Sequence, residues 1–237
     1  MVRLIERVIE LGFDEEKAKR IIQSGQVLVN NEVLFMANQK IKDTDKVIIK
    51  ESKKYVSRGA FKLLSAIEEF NLDLNNKVVL DIGSSTGGFT QVALENKASH
   101  VFALDVGTNQ LDYKLRSDKR VTTLEKTNLK TITPEMFNKD IDVVVTDVSF
   151  ISLKHVFRVV KDLDVNFIMA LIKPQYEANS DQILKGGIAP KEIHEEIISK
   201  VKTYALEEGF VLKDIKESPI VGAKSKNIEY LSVFIKK

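Results

Sequence analysis

Val78-Val79-Leu80-Asp81-Ile82-Gly83-Ser84-Ser85-Thr86-Gly87-Gly88-Phe89-Thr90 is the stretch that decides the fold. An apolar run meets an acid and then a turn in which three glycines and three hydroxyl residues share six positions. Glycine in such a turn lets the backbone and the start of the next helix come close to a ligand. The spacing is not the dinucleotide G-x-G-x-x-G, and no lysine follows as in a phosphate-binding P-loop. An acid ahead of the first glycine suits a ligand that carries positive charge or amino groups.

Downstream, apolar runs alternate with helical patterns. Strands are predicted at Val78–Leu80, Val101–Leu104, Val121–Leu124, Val143–Val145, Phe167–Ile172, Phe210–Ile215 and Tyr230–Ile235, with a helix over Asn109–Leu115. Strands of this apolar kind between helices predict an α/β domain whose parallel sheet is covered on both faces. Upstream, Ser57 reads as the cap of a helix to Phe70, with Phe61, Leu64, Ile67 and Phe70 as its apolar face. Residues 3–11 place Leu4, Val8 and Leu11 on one helical face, ended by Gly12. Asp14 caps a second helix, Glu15–Ser24, before Gly25. Val27–Val29 and Val33–Phe35 flank Asn30-Asn31, a hairpin signal, and Val47–Ile49 is a further strand. The chain therefore divides into a small α+β domain at 1–52, a linker at 53–58 and a larger domain at 59–237.

Bulk properties exclude several classes. None of the 237 residues is cysteine, which removes disulfides, thiolate catalysis and Cys-type metal sites. His100, His155 and His194 are too widely spaced to suggest a metal centre, so none is expected. The densest apolar stretch, Val165–Ile172, is broken by Asn166 and stopped by Lys173, so it reads as a buried strand and not a membrane span. No secretory leader is evident around Arg3, Glu6, Arg7 and Glu10, and the cytoplasm is the expected compartment. Residues 1–60 hold 12 Lys/Arg against 9 Asp/Glu, whereas the remainder holds 24 against 25. The basic excess is densest at Lys50, Lys53, Lys54, Arg58 and Lys62, which fits either a solvated linker or a phosphate-contacting stretch.

Polar residues at strand ends carry the chemistry. Open α/β sheets bind ligands outside the carboxyl ends of their strands. Asp105 ends the second strand and can accept hydrogen bonds from ribose hydroxyls; capping a helix is its other reading. Asp147 ends the fourth strand, and Lys173, fixed by Pro174, ends the fifth. A partly desolvated lysine beside an aspartate can exchange a proton, or the two can form a structural ion pair.

Five blocks occur together and in order: Arg58-Gly59-Ala60-Phe61-Lys62-Leu63, Asp81 to Thr90, Thr146-Asp147-Val148-Ser149-Phe150-Ile151-Ser152-Leu153, Leu171-Ile172-Lys173-Pro174-Gln175 and Asn227-Ile228-Glu229-Tyr230. In this combination the chain resembles the TlyA family, often called haemolysin A, among the FtsJ-like 2′-O-ribose methyltransferases. The segment Ala18 to Asn30 is similar to the RNA-binding domain of the ribosomal-protein-S-four type.

The resemblance implies a Rossmann-like class I methyltransferase sheet behind a small α+β RNA-binding domain. It implies S-adenosyl-L-methionine as cofactor, and 2′-O-methylation of ribosomal RNA, with cytidine as the target. The family's catalytic tetrad maps onto Lys62, Asp147, Lys173 and Glu229. Cofactor contacts are implied for Asp81, Gly83, Ser84, Ser85, Thr86, Gly87, Gly88, Asp105 and Asn128. The chain departs from the family pattern at Ile5, at Glu16-Lys17 and at Lys226. A non-catalytic RNA-binding protein on the same fold, a pore-forming haemolysin and a small-molecule O-methyltransferase are the competing readings.

Overall fold

The computed structural model describes residues 1–23, 25–50, 54–222 and 227–237. Ser24, Lys53, Lys226 and the boundary expected at residue 52 lie outside the described residues. The chain divides into two compact units, Met1–Lys54 and Tyr55–Lys237. The expected linker thus contributes to the larger unit, because Tyr55 is buried in that unit's core and Val56 packs on it.

In the smaller unit, helix α1 (Leu4–Glu10) buries Leu4, Ile5 and Val8. Leu11 falls outside the helix and is exposed, so the apolar face is one residue round from the expected one. Ile5, a departure from the family pattern, is therefore a core residue. Asp14 does cap helix α2 (Glu15–Gln23), its carboxylate accepting the Lys17 N–H at 2.7 Å. Glu16 pairs with Arg20 across one turn, and the Lys17 amine sits over the Phe13 ring. Strand β1 (Val2–Arg3) pairs with β4 (Lys40–Ile41); β2 (Val27–Val29) lies between β3 (Glu32–Val33) and β5 (Val47–Ile49). Asn30 and Asn31 both have positive φ, as a two-residue hairpin turn demands, and asparagine tolerates it. The second hairpin strand stops at Val33, leaving Phe35 exposed.

The larger unit is built on seven strands: β6 (Val78–Ile82), β7 (His100–Leu104), β8 (Val121–Leu124), β9 (Val143–Thr146), β10 (Phe167–Ile172), β11 (Phe210–Glu217) and β12 (Tyr230–Lys236). Their order is β11-β12-β10-β9-β6-β7-β8, the Rossmann-like methyltransferase sheet that the resemblance implied. The expectation of an all-parallel sheet is corrected at one strand. β12 runs antiparallel to both β10 and β11; among the described residues between β11 and β12 there is no crossover helix to return the chain in parallel.

Helices α3 (Ala60–Phe70) and α4 (Gly88–Glu95) and the short α5 (Tyr113–Arg116) cover one face; α6 (Leu153–Val160) and α8 (His194–Glu207) cover the other. The helix expected over Asn109–Leu115 is shorter. Asn109 is left-handed and the Glu125 carboxylate takes the N–H groups of Asn109 and Gln110, so the helix starts only after Asp112 caps it. Ser57 does not cap α3 either; its carbonyl accepts the Ala60 N–H in the preceding turn, and Gly59 is the cap. The fully buried side of α3 is Ala60, Leu63 and Ala66, and it also carries Lys62; Phe61 is exposed against Tyr55.

Phe157 of α6 is fully buried between the rings of Phe234, 4.8 Å away, and Phe210 at 6.0 Å. Phe157→Ala should destabilise the larger unit by about 3–5 kcal/mol, read as a lower denaturation midpoint.

Asp81 is buried within β6, where Oδ2 accepts the Thr90 hydroxyl at 2.6 Å and Oδ1 has no hydrogen-bond partner among the described residues. Burial pushes its carboxyl up to about 7, against the hydrogen bonds from Thr90. Between the ordinary value of 3.8 and about 7 the folded protein holds a proton that the unfolded chain has released. That contribution to stability is complete in acid and is lost as the pH rises towards 7. Asp81→Asn should therefore gain stability relative to the native protein across that window and level off above it, as measured by denaturant titration at several pH values.

Candidate active site

The carboxyl edge of the parallel strands collects the polar strand ends. Asp147 follows β9 directly, and Lys173 follows β10 as the cap of helix α7 (Pro174–Glu177), whose first residue is a proline preset for helix. Glu229 immediately precedes β12, and because β12 is antiparallel its start lies at this same edge. Lys62 reaches the group from α3. Close approach of α3 to the glycine turn depends on Gly88: a Cβ there would stand 2.2 Å from Ser57 Oγ and 2.9 Å from the Ala60 nitrogen.

The four side chains form one line of alternating charge. Lys173 Nζ stands 2.6 Å from Asp147 Oδ1, an ion pair without hydrogen-bond alignment. It donates hydrogen bonds to Ser149 Oγ at 3.0 Å and to the Asp147 carbonyl at 3.4 Å. Lys62 Nζ donates to Asp147 Oδ2 at 3.3 Å and to Glu229 Oε2 at 2.6 Å. Lys62, Lys173 and Glu229 are each less than a tenth exposed. Burial works against the charge on Lys62, but Asp147 and Glu229 together outweigh it and raise its pKa above the ordinary lysine value. Lys62 therefore stays an ammonium. It is not the phosphate-facing residue that its place in the basic stretch suggested.

Two hollows meet at this edge. One, of about 440 Å³, is lined by all four of these side chains together with Arg58, Ser84, Thr86, Gly88, Gln175 and Tyr176. The other, of about 460 Å³, is lined by Asp105, Val106, Gln110, Thr127 and Asn128. Gly83, Ser85, Asp147, Ser149 and Phe150 line both, so the two are contiguous.

Asp105 accepts the Ser85 N–H at 2.8 Å through one oxygen and the Gly107 N–H at 2.7 Å through the other. A carboxylate has lone pairs left after two such bonds, so Asp105 retains acceptor capacity toward the hollow. Asn128 caps a short turn by accepting the Lys130 N–H.

Two expected contacts line neither hollow. Asp81 is turned to Thr90. Gly87, in a left-handed conformation, is backed by Leu111 and Leu115, which a Cβ would strike. Ser57, Ser149, Gln175 and Tyr176 were not singled out from the sequence. Each sits within three residues of Gly59, Asp147 or Lys173, and that proximity was the available signal.

Residues 55–235 match the model of the FtsJ-like methyltransferase family. The chain is 45% identical to a Brachyspira hyodysenteriae protein named Hemolysin A, over 99% of this chain and all of that one. It is 36% identical to the Mycobacterium tuberculosis protein named 16S/23S rRNA (cytidine-2′-O)-methyltransferase TlyA, over 93% of this chain and 84% of that one. A solved structure from Streptococcus thermophilus, described as a hemolysin, superposes with a TM-score of 0.76 at 38% identity, covering 99% of this chain and 88% of that one. With its glycine turn, its carboxyl-edge acids and its buried lysine pair, the chain belongs to the FtsJ-like methyltransferase family.

Proposed function

We propose that this protein transfers the methyl group of S-adenosyl-L-methionine to a ribose 2′-hydroxyl of ribosomal RNA, with cytidine as the target nucleoside. The observation that carries this reading is the buried line Lys173, Asp147, Lys62, Glu229 beside two contiguous hollows. The printed name of the Mycobacterium tuberculosis relative, which states this chemistry, supports it. Ribosomal RNA as partner implies the cytoplasm as the working compartment.

The residues fit the cofactor. The hollow bounded by Gly83, Ser85, Asp105 and Asn128 offers a carboxylate with free lone pairs and an amide, and two of its walls, Asp105 and Asp147, are acids, which suits a cation. Ser84, Thr86 and Gly88 face the neighbouring hollow, while Asp81 and Gly87 shape the turn from beneath. Bound there, S-adenosyl-L-methionine supplies a methyl group already activated by the sulfonium charge.

The protein must then align the ribose oxygen and remove its proton. Lys62, held as an ammonium by two carboxylates, fixes Asp147 and Glu229 in place. Lys173 has one carboxylate partner and a hydroxyl, Ser149, that directs its amine. It is the group that orients the 2′-hydroxyl; once its ammonium has released a proton to solvent, its amine takes up the hydroxyl's proton, with Asp147 stabilising the charge that results. Holding the reacting atoms about 3–3.5 Å apart in line supplies much of the acceleration.

In the smaller unit Lys40, Lys42, Lys46 and Lys50 are exposed and their amines form no ion pair among the described residues, whereas Arg3, Arg7, Lys19 and Arg20 each pair with a glutamate. The four free lysines are the phosphate contacts this reading requires, and RNA binding should weaken steeply as salt is raised.

Labelled S-adenosyl-L-methionine incubated with separated ribosomal subunits should label RNA at a cytidine ribose; an unlabelled product would reject the reading. Lys173→Ala should lose methyl transfer while cofactor affinity, measured by calorimetry, stays within a few-fold. Turnover close to native in that variant would exclude Lys173 as the proton acceptor.

A further inference from the structure

Helix α7 is only four residues long, yet both of its ends grip the segment that follows β9. At the front, the Lys173 amine donates to the Asp147 carbonyl and to Ser149 Oγ. At the back, Glu177 Oε2 accepts the Ser152 hydroxyl at 2.6 Å and Oε1 accepts the Leu153 N–H at 2.7 Å. The Glu177 side chain is buried, and the Lys200 amine donates to its carbonyl at 2.7 Å. Burial drives the Glu177 carboxyl above its ordinary value although both hydrogen bonds oppose this, so the group sits where an ion is disfavoured.

Between the two grips lies Phe150. Its φ is +63°, a left-handed conformation that costs a bulky residue about 1–3 kcal/mol and persists only when its surroundings over-determine it. Among the described non-glycine residues with positive φ it is the one aromatic; five of the others are asparagines, which tolerate the region. The residue is 88% exposed, its ring rests against that of Tyr176 of α7 with centroids 4.9 Å apart, and it borders both hollows. A segment that is strained, apolar and exposed, and yet held at both ends, is not explained by packing.

Glu177 shares in the capping of α6, since Leu153 is that helix's first residue, but capping alone does not account for a buried acid here. Ser152 already serves as that helix's cap, accepting the Lys154 N–H at 3.2 Å.

We propose that Glu177 is a positioning residue: with Lys173 it forms a two-point clamp across α7 that holds residues 147–153 and fixes Phe150 at the border of the two hollows, where the acceptor nucleotide must seat. This rests on the methyl-transfer reading above. Its consequence is specific. Loss of the Glu177 grip should harm use of RNA and leave cofactor binding alone.

The test is a double-mutant cycle between Glu177 and Phe150, read as kcat and KM for RNA, with cofactor affinity measured alongside. Glu177→Ala should lower kcat/KM for RNA about 10–100-fold, the range a displaced positioning group gives, with the affinity for S-adenosyl-L-methionine unchanged within about twofold. Glu177→Gln, which keeps one acceptor oxygen for the Leu153 N–H, should restore most of the loss. In a Phe150→Ala background Glu177→Ala should cost little more. Equal losses in both backgrounds, or cofactor affinity falling in step with kcat/KM, would mean that Glu177 only supports the fold and would overturn the clamp. Native kinetics in Glu177→Ala would overturn it as well. Should Glu177→Ala not fold, Ser152→Ala removes one of the two bonds and serves in the same cycle. Native protein that labels no RNA would refute methyl transfer itself, and the clamp with it; native turnover with an unaffected Glu177→Ala would refute the clamp alone.

Discussion

Two ammonium groups and two carboxylates are held in a single line at the sheet edge, and the arrangement of the larger unit makes sense only around that line. Taking ions out of water costs several kcal/mol each, and their mutual attraction repays it only when geometry is good and every member is partnered. Here the alternation Lys173, Asp147, Lys62, Glu229 gives each ion an opposite neighbour and leaves the group with no net charge. Removing one member of such a set strands its neighbour, and stranding a buried charge costs about 3–5 kcal/mol. The line is thus a constraint on four separate elements at once: α3, the segments after β9 and β10, and the approach to β12.

Meeting that constraint explains features that otherwise look arbitrary. The antiparallel β12 brings Glu229 to the same edge as Asp147 and Lys173; a parallel last strand would have started at the opposite edge. Gly88 lets the turn before α3 lie directly on the start of α4, and only that proximity allows Lys62 to reach Glu229 across a sequence gap of 167 residues. Asn227, two residues before Glu229, donates to the Gly187 carbonyl and accepts the Ala189 N–H, so the approach to Glu229 is tied down by a buried amide. Packing fixes the edge, and the edge fixes the charges.

The strained and the buried polar groups follow the same logic. Ser85 and Phe150 both have positive φ, and both border the two hollows. Backbone strain of this kind gathers where a side chain or an amide must face a ligand. Asp81 is the counterpart beneath the turn. It does not meet a ligand directly; it joins β6 to α4 through Thr90 and so shapes the glycine turn from behind.

Much of this was legible in the residues alone. The order of apolar runs gave all seven strands of the larger unit to within two residues at each end, because a fully buried strand must be continuously apolar. β11 runs two residues past its apolar part into Lys216-Glu217 at the sheet's exposed border, where hydropathy carries no signal. The glycine turn, Asp105, Asp147 and Lys173 stood out because each is a polar break at the end of an apolar run. Lys62 and Glu229 did not stand out that way; only the ordered family blocks pointed to them. What the chain by itself could not fix was the direction of β12, the rotation of α3 that buries Lys62, and the turning of Asp81 away from the hollows. Those depend on which residues distant in sequence become neighbours, and local periodicity carries no record of that. Tertiary packing decided them, since a buried charge must find its partner wherever in the chain that partner lies.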